Sequence, residues 1–232
     1  MEERLERALA PWGGESQQAY EHLAAAPEEL AEIANVLRVG ETCFYRDPPQ
    51  WDALRAHVFP HLARRRHLMG ISVGCSTGEE AWTLAALLAE TQGVNWRVVG
   101  FDRSGLALES ARAGRYPLAS VRHLPRDWRE HHLQDESDVC VVKGELRSRT
   151  AFVQGDLAQG LPRGAWELMV CKNVLLYFGE LAQVRAAECL AASLAPGGYL
   201  MVARSEVPIL RQTSLIPVEI SPGITVFRRG EG

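Results

Sequence analysis

Leu68-Met69-Gly70-Ile71-Ser72-Val73-Gly74-Cys75-Ser76-Thr77-Gly78-Glu79-Glu80 is the stretch that decides the fold. A compact apolar run, residues 68–73, passes directly into a glycine-containing loop and then into a segment that reads as a helix from Thr77 to about Glu90. Strand, glycine turn and helix make the opening unit of an α/β sheet, in which ligands bind outside the carboxyl ends of the strands and glycine permits close backbone approach. Downstream the rhythm repeats. Residues 96–101 read as a strand followed by a helix through Arg112, and residues 151–153, 166–171 and 199–203 as further buried strands. A helix over 179–194 ends at Pro196-Gly197-Gly198. Strands alternating with helices predict a doubly wound, mainly parallel sheet. Residues 215–220 and 224–228, joined around Pro222-Gly223, predict a C-terminal antiparallel hairpin.

Upstream of this unit the pattern is helical. Residues 15–23 and 28–37 carry apolar side chains at helical spacing, with Pro27 fitting a first turn, and a third helix is expected over 49–67. The expected domains are a small N-terminal helical subdomain with its linker, 1–48, and an α/β domain, 49–232. One stretch breaks the alternation. Residues 139–143 and 146–152, separated by Gly144-Glu145, read as a small β hairpin inserted at 138–152.

The loop after the first strand lacks the Gly-x-Gly-x-x-Gly pattern that cradles pyrophosphate, since Ser76 holds the second glycine's place and two glutamates open the helix. A carboxylate there repels phosphate but pairs with an ammonium group, which favours a methionine-derived cofactor. Glu79 is read as a ligand; Glu80 fits either that role or simple complementation of the helix dipole. Asp102, at the end of the second strand, is placed to accept hydrogen bonds from a ribose diol, its alternative being a helix N-cap. Asp156-Leu157 follows the third strand, where an acceptor and an apolar side chain can hold adenine; by itself Asp156 reads as a loop residue.

Composition sets outer limits. The chain has 232 residues, 47% hydrophobic and 23% charged, with a net charge of −4, so nothing global points to nucleic acid or an anionic membrane. It contains no run of about 18 apolar residues, and its acidic Met1-Glu2-Glu3 start lacks the basic region of a signal peptide. Five cysteines without a Cys-x-x-Cys pair argue against a disulfide or zinc framework and for a reduced, cytoplasmic protein. His57 and His61 share a helix face among arginines without a third ligand, so no metal site is expected.

Three blocks and a coda carry a resemblance. Gly40-Glu41-Thr42-Cys43-Phe44-Tyr45-Arg46-Asp47, the Gly-Cys-Ser-Thr-Gly-Glu-Glu loop at 74–80, and Cys171-Lys172-Asn173-Val174-Leu175-Leu176-Tyr177-Phe178 resemble the signature blocks of the chemotaxis receptor methyltransferase family, CheR. Pro196-Gly197-Gly198-Tyr199 and Ser205-Glu206 resemble its final block. The order and spacing agree over nearly the whole chain. The resemblance implies a class I S-adenosylmethionine-dependent methyltransferase fold and methyl transfer to glutamate carboxylates on cytoplasmic helices of chemoreceptors, leaving S-adenosylhomocysteine. It implies cofactor contacts from Thr42, Arg46, Gly74, Glu79, Asp102, Asp156, Leu157, Lys172 and Asn173. Arg46 and Tyr177 would lie near the transferred methyl as catalytic residues. Gly40, Tyr45, Asp156 and Lys172 depart from the family's frequent Asn, Phe, Asn and Arg. These departures leave a second reading open, a regulatory module that binds the cofactor without transferring the methyl.

Overall fold

A computed structural model describes residues 42–91 and 93–231; the helices expected over 15–23 and 28–37 lie outside them. Residues from Thr42 onward form one compact unit. Its elements begin with α1 (Pro48–His57), opened by Pro48-Pro49, and the short α2 (Phe59–Leu62). Then come β1 (His67–Val73), α3 (Glu79–Ala89), β2 (Asn95–Asp102) and α4 (Gly105–Ala113).

An appendage follows, made of β3 (Arg115–Pro117), α5 (Arg126–His132), β4 (Leu133–Glu136) and β5 (Val139–Val142). Next are α6 (Gly144–Arg149), β6 (Thr150–Gln154), β7 (Trp166–Cys171) and α7 (Glu180–Ser193). The chain closes with β8 (Leu194–Val202), α8 (Val207–Leu210), β9 (Ile216–Ser221) and β10 (Ile224–Arg228). Among the described residues no helix is long and apolar enough to cross a membrane.

The main sheet has seven strands in the order β6-β2-β1-β7-β8-β10-β9. The first five are parallel, and the terminal hairpin pairs antiparallel, as expected. Its central strands are apolar on both faces: Ile71, Leu168, Met169, Val170, Leu200 and Met201 are completely buried. A strand covered on both sides reads as a continuous apolar run, which is why these strands were visible in the sequence. From β1 the chain moves outward through β2 to β6, then returns to lay β7 on β1's other side. That reversal creates a crevice between the loops after β1 and β7, the usual place for a ligand in such sheets.

The inserted hairpin exists but differs from the expected one. Its turn lies at Ser137-Asp138, where Ser137 takes φ 53°, and β5 pairs with β4 on one side and β3 on the other in a three-stranded antiparallel sheet. Residues 144–149, expected as a turn at 144–145 followed by strand, are helix α6, and 150–154 belong to the main sheet beside β2. The physical reason lies in anchoring. Leu146 buries itself in the core (1% exposed), and Arg147 donates to the Ala113 and Arg112 carbonyls at the end of α4. β4 leaves no strand pattern in the sequence because three of its four residues are exposed and polar. The appendage starts and finishes at one point, where the Val142 N–H donates to the Gly114 carbonyl at 2.9 Å.

Candidate functional site

Three loops at the carboxyl ends of β1, β2 and β7 converge on the crevice. After β1 the backbone is left-handed at Gly74 (φ 73°), Ser76 (51°) and Gly78 (97°). Gly74 has no room for a side chain: a Cβ there would stand 2.3 Å from Val174 Cγ2, across the crevice in the turn after β7. Its N–H and that of Cys75 both donate to the Phe101 carbonyl, tying the loop to β2.

Glu79 opens α3 with its carboxylate buried (4% exposed). Thr77 Oγ1 donates to its Oε2 at 2.7 Å and Thr42 Oγ1 at 3.3 Å, so the structure brings Thr42 and Glu79 together across 37 positions. Burial holds the Glu79 carboxyl above its ordinary range against these hydroxyls. Glu80 accepts from Ser72 Oγ at 2.8 Å. Burial pushes its carboxyl up to about 7; Lys172 and Arg46 pull it down, and Glu206 pushes it further up. Glu80 therefore belongs to the charged interior of the site and does more than complement a dipole.

Asp102 ends β2 at 6% exposure. Its Oδ2 accepts from the Ser76 N–H at 2.9 Å and its Oδ1 from the Ser104 N–H at 2.8 Å. The alternative role, capping the next helix, falls to Ser104, whose hydroxyl accepts from the Ala107 N–H. Asp156 caps a short turn over Leu157–Gln159 through the Ala158 N–H, and Leu157 is buried beside it. The Gly155 N–H donates to the Asp102 carbonyl at 3.0 Å, joining this loop to the β2 end.

The segment bearing Arg46 is held in an unusual shape. Tyr45 (φ 57°) and Asp47 (φ 61°) are both left-handed without being glycine, which costs conformational energy and persists only where contacts enforce it. Those contacts are specific. The Phe44 and Tyr45 N–H groups donate to the Ser120 carbonyl and Thr83 Oγ1, and the Tyr45 hydroxyl donates to Asp52 at 2.7 Å. The Arg46 carbonyl accepts from both Trp51 Nε1 and Lys172 Nζ, each at 2.9 Å. Lys172, its side chain 2% exposed, also pairs with Asp47 at 2.8 Å and lies 5.7 Å from the centre of the Trp51 ring. Burial alone would raise Asp47, but the Lys172 ammonium and the nearby Arg46 and Arg204 bring it below its usual range.

Lys172 thus anchors the Arg46 segment, and the Arg46 side chain is half-buried within electrostatic reach of Glu80. The turn after β7 contributes Asn173, left-handed at φ 59°. Tyr177 lies one short turn further on and is 71% exposed.

Glu206 went unassigned in the sequence. Its fully buried carboxylate lies under the turn after β7, and only its place in the final sequence block singled it out. Three arginines of the appendage are paired within it: Arg115, Arg126 and Arg129 pair with Glu136, Glu130 and Asp135.

Comparison with known proteins bears on this geometry. The family described as CheR methyltransferase, SAM binding domain, matches residues 40–220. The chain is 28% identical over 190 residues to the chemotaxis protein methyltransferase of Listeria monocytogenes, covering 81% of this chain and 72% of that protein. It is 29% identical over 198 residues to chemotaxis protein methyltransferase 2 of Vibrio cholerae, covering 81% and 69%. Among solved structures it is similar to the N-methyltransferase NodS of Bradyrhizobium japonicum in complex with S-adenosyl-L-homocysteine. That likeness has a TM-score of 0.50 and 15% identity over 97% of this chain and 98% of that one, and speaks to the class I fold alone.

Proposed function

We propose a protein glutamate side chain as the methyl acceptor of this enzyme, from the premise that the chain belongs to the CheR methyltransferase family and carries its S-adenosylmethionine-binding domain. The crevice fits that cofactor. Left-handed residues at 74, 76 and 78 let backbone approach a ligand, while Glu79, Glu80 and Asp102 favour a cationic, diol-bearing molecule over one with phosphates. In this reading Gly74, Glu79 and Thr42 hold the amino-acid end and Asp102 the ribose. Asp156 and Leu157 hold the base, Asn173 and Arg46 line the side facing the acceptor, and the buried Lys172, expected as a cofactor contact, instead fixes the Arg46 segment.

The bound cofactor supplies a methyl on a sulfonium, a leaving group that needs no activation. A glutamate carboxylate is ionised near pH 7, so the residues of this chain need no strong general base. Their task is alignment and exclusion of water. Arg46 does the aligning: a guanidinium holds a carboxylate by two parallel hydrogen bonds, leaving an oxygen lone pair for the methyl.

The single observation that carries this reading is the strained pair Tyr45 and Asp47 on either side of Arg46, fixed by Lys172 and Trp51. Strain of this kind is retained where one side chain must point one way. It also speaks against a binding module without turnover, because Lys172, the departure that suggested one, has a defined anchoring role.

The partners that fit are the cytoplasmic helices of chemoreceptors. The test is incubation with methyl-labelled S-adenosylmethionine and receptor-bearing membranes. Base-labile release of label from the receptor is the expected outcome; absence of any base-labile methyl would sink the reading.

A further inference from the structure

Glu206 is 0% exposed, yet four backbone N–H groups converge on its carboxylate. Oε1 accepts from Val174 at 2.8 Å and Leu175 at 2.8 Å; Oε2 accepts from Asn173 at 2.9 Å and Ala203 at 3.0 Å. The donors come from two loops, the turn after β7 and the end of β8. An ionised carboxylate is an acceptor with about four lone-pair sites, so this cradle matches its capacity. Charge-assisted bonds of this kind offset the burial of the charge. A glutamine would turn its own NH2 toward N–H donors, and an alanine would leave four buried donors without an acceptor.

The clamp acts on function through its neighbours. It fixes Asn173 at φ 59° and sets Val174, whose methyl occupies the space a Cβ on Gly74 would need. It thereby sets the distance between the two walls of the crevice, the loop after β1 and the turn after β7. We propose that Glu206 is a positioning residue for methyl transfer: without touching cofactor or acceptor, it holds Asn173 and the Gly74 loop in register. The proposal rests on the methyl-transfer reading above.

The test compares Glu206→Gln and Glu206→Asp with Leu190→Ala, a core variant on α7 outside the site, all well below their melting temperatures. In Glu206→Gln, amide exchange at 173–175 and 203 should accelerate while β1 amides keep wild-type rates. Affinity for S-adenosylhomocysteine should fall about 10-fold and turnover about 100-fold, the scale expected when reacting groups shift by about 1 Å. Glu206→Asp, which keeps the charge, should recover part of both losses. Leu190→Ala should lose stability and keep turnover.

A folded Glu206→Gln with wild-type turnover, or with a loss no greater than that of an equally destabilised Leu190→Ala, overturns the proposal. If Glu206→Gln does not fold, Glu206→Asp decides: fast exchange at 173–175 with undiminished turnover refutes it, and joint loss supports it. Should the wild-type protein methylate no receptor, the functional reading fails separately. The S-adenosylhomocysteine arm then still decides, since unchanged affinity with released loop amides would end the proposal.

Discussion

Arg46 and Asp102 are fixed by opposite means, and their variants should fail in different ways. Arg46 is held by its main chain, through its carbonyl and the left-handed residues beside it, so truncating its side chain leaves the mount intact. Arg46→Ala is expected to lower turnover far more than S-adenosylhomocysteine affinity; calorimetry beside steady-state kinetics separates the two, and a change confined to KM would assign Arg46 to ground-state binding. Tyr177→Phe is the companion variant, and full turnover would dismiss a catalytic hydroxyl. Asp102, by contrast, is held by its side chain, which accepts the Ser76 and Ser104 N–H groups. Asp102→Ala should weaken S-adenosylhomocysteine binding by about 10- to 100-fold, the scale of one lost hydrogen bond to a charged group, about 1.5–3 kcal/mol. Unchanged affinity would remove Asp102 from the site.

At the scale of elements, the appendage offers the clearest experiment. β4 is an outer strand of its small sheet with three exposed residues, and an exposed strand edge can take up an extended peptide by main-chain hydrogen bonds. Docking of the substrate protein on this edge is an expectation that rests on the proposed function. N–H groups along an antiparallel strand alternate inward and outward, so of Gln134→Pro and Asp135→Pro one removes no ladder bond. That variant should keep its melting temperature and cofactor affinity while methylating the intact receptor more slowly; normal rates would end the docking idea.

The same element shows what the sequence could carry. The central strands of the main sheet are legible because both faces are buried and their composition is almost wholly apolar, as in residues 166–171, where Glu167 is the one charged side chain. β4, one-sided and mostly polar, was invisible. Residues 146–149 were expected as strand, yet they are helical, with Leu146 in the core and Arg147 bonded to the end of α4. Within the site, residues near glycine turns were identified individually. The pairings of Thr42 with Glu79, Lys172 with Asp47, and Glu206 with four amides span distances that no local pattern encodes.

For the molecule as a whole, the concentration of acid in the crevice predicts a pH signature. Burial raises Glu80 from 4.5 to about 7, so the folded state holds this proton more tightly than the unfolded one. The resulting stabilisation is complete below the unfolded value and fades as pH rises through about 7. Its slope is at most about 1.4 kcal/mol per pH unit for one proton, less here because the side chain is partly open to solvent. Urea unfolding of wild type and Glu80→Gln should therefore diverge between these limits, wild type losing ground as pH rises; parallel curves would show that Glu80 titrates normally.

The neck of the appendage, one hydrogen bond from Val142 to Gly114, has an evolutionary consequence. The outer part of a segment that leaves and rejoins the chain at adjacent residues can be exchanged or lengthened without re-threading the sheet beneath it, whereas Ser120 and Tyr116, which hold the Phe44 and Thr77 backbone, are tied to the crevice. Partner choice and methyl chemistry can then diversify on separate schedules, and a lineage can acquire a new client by replacing residues 134–139 while inheriting its crevice.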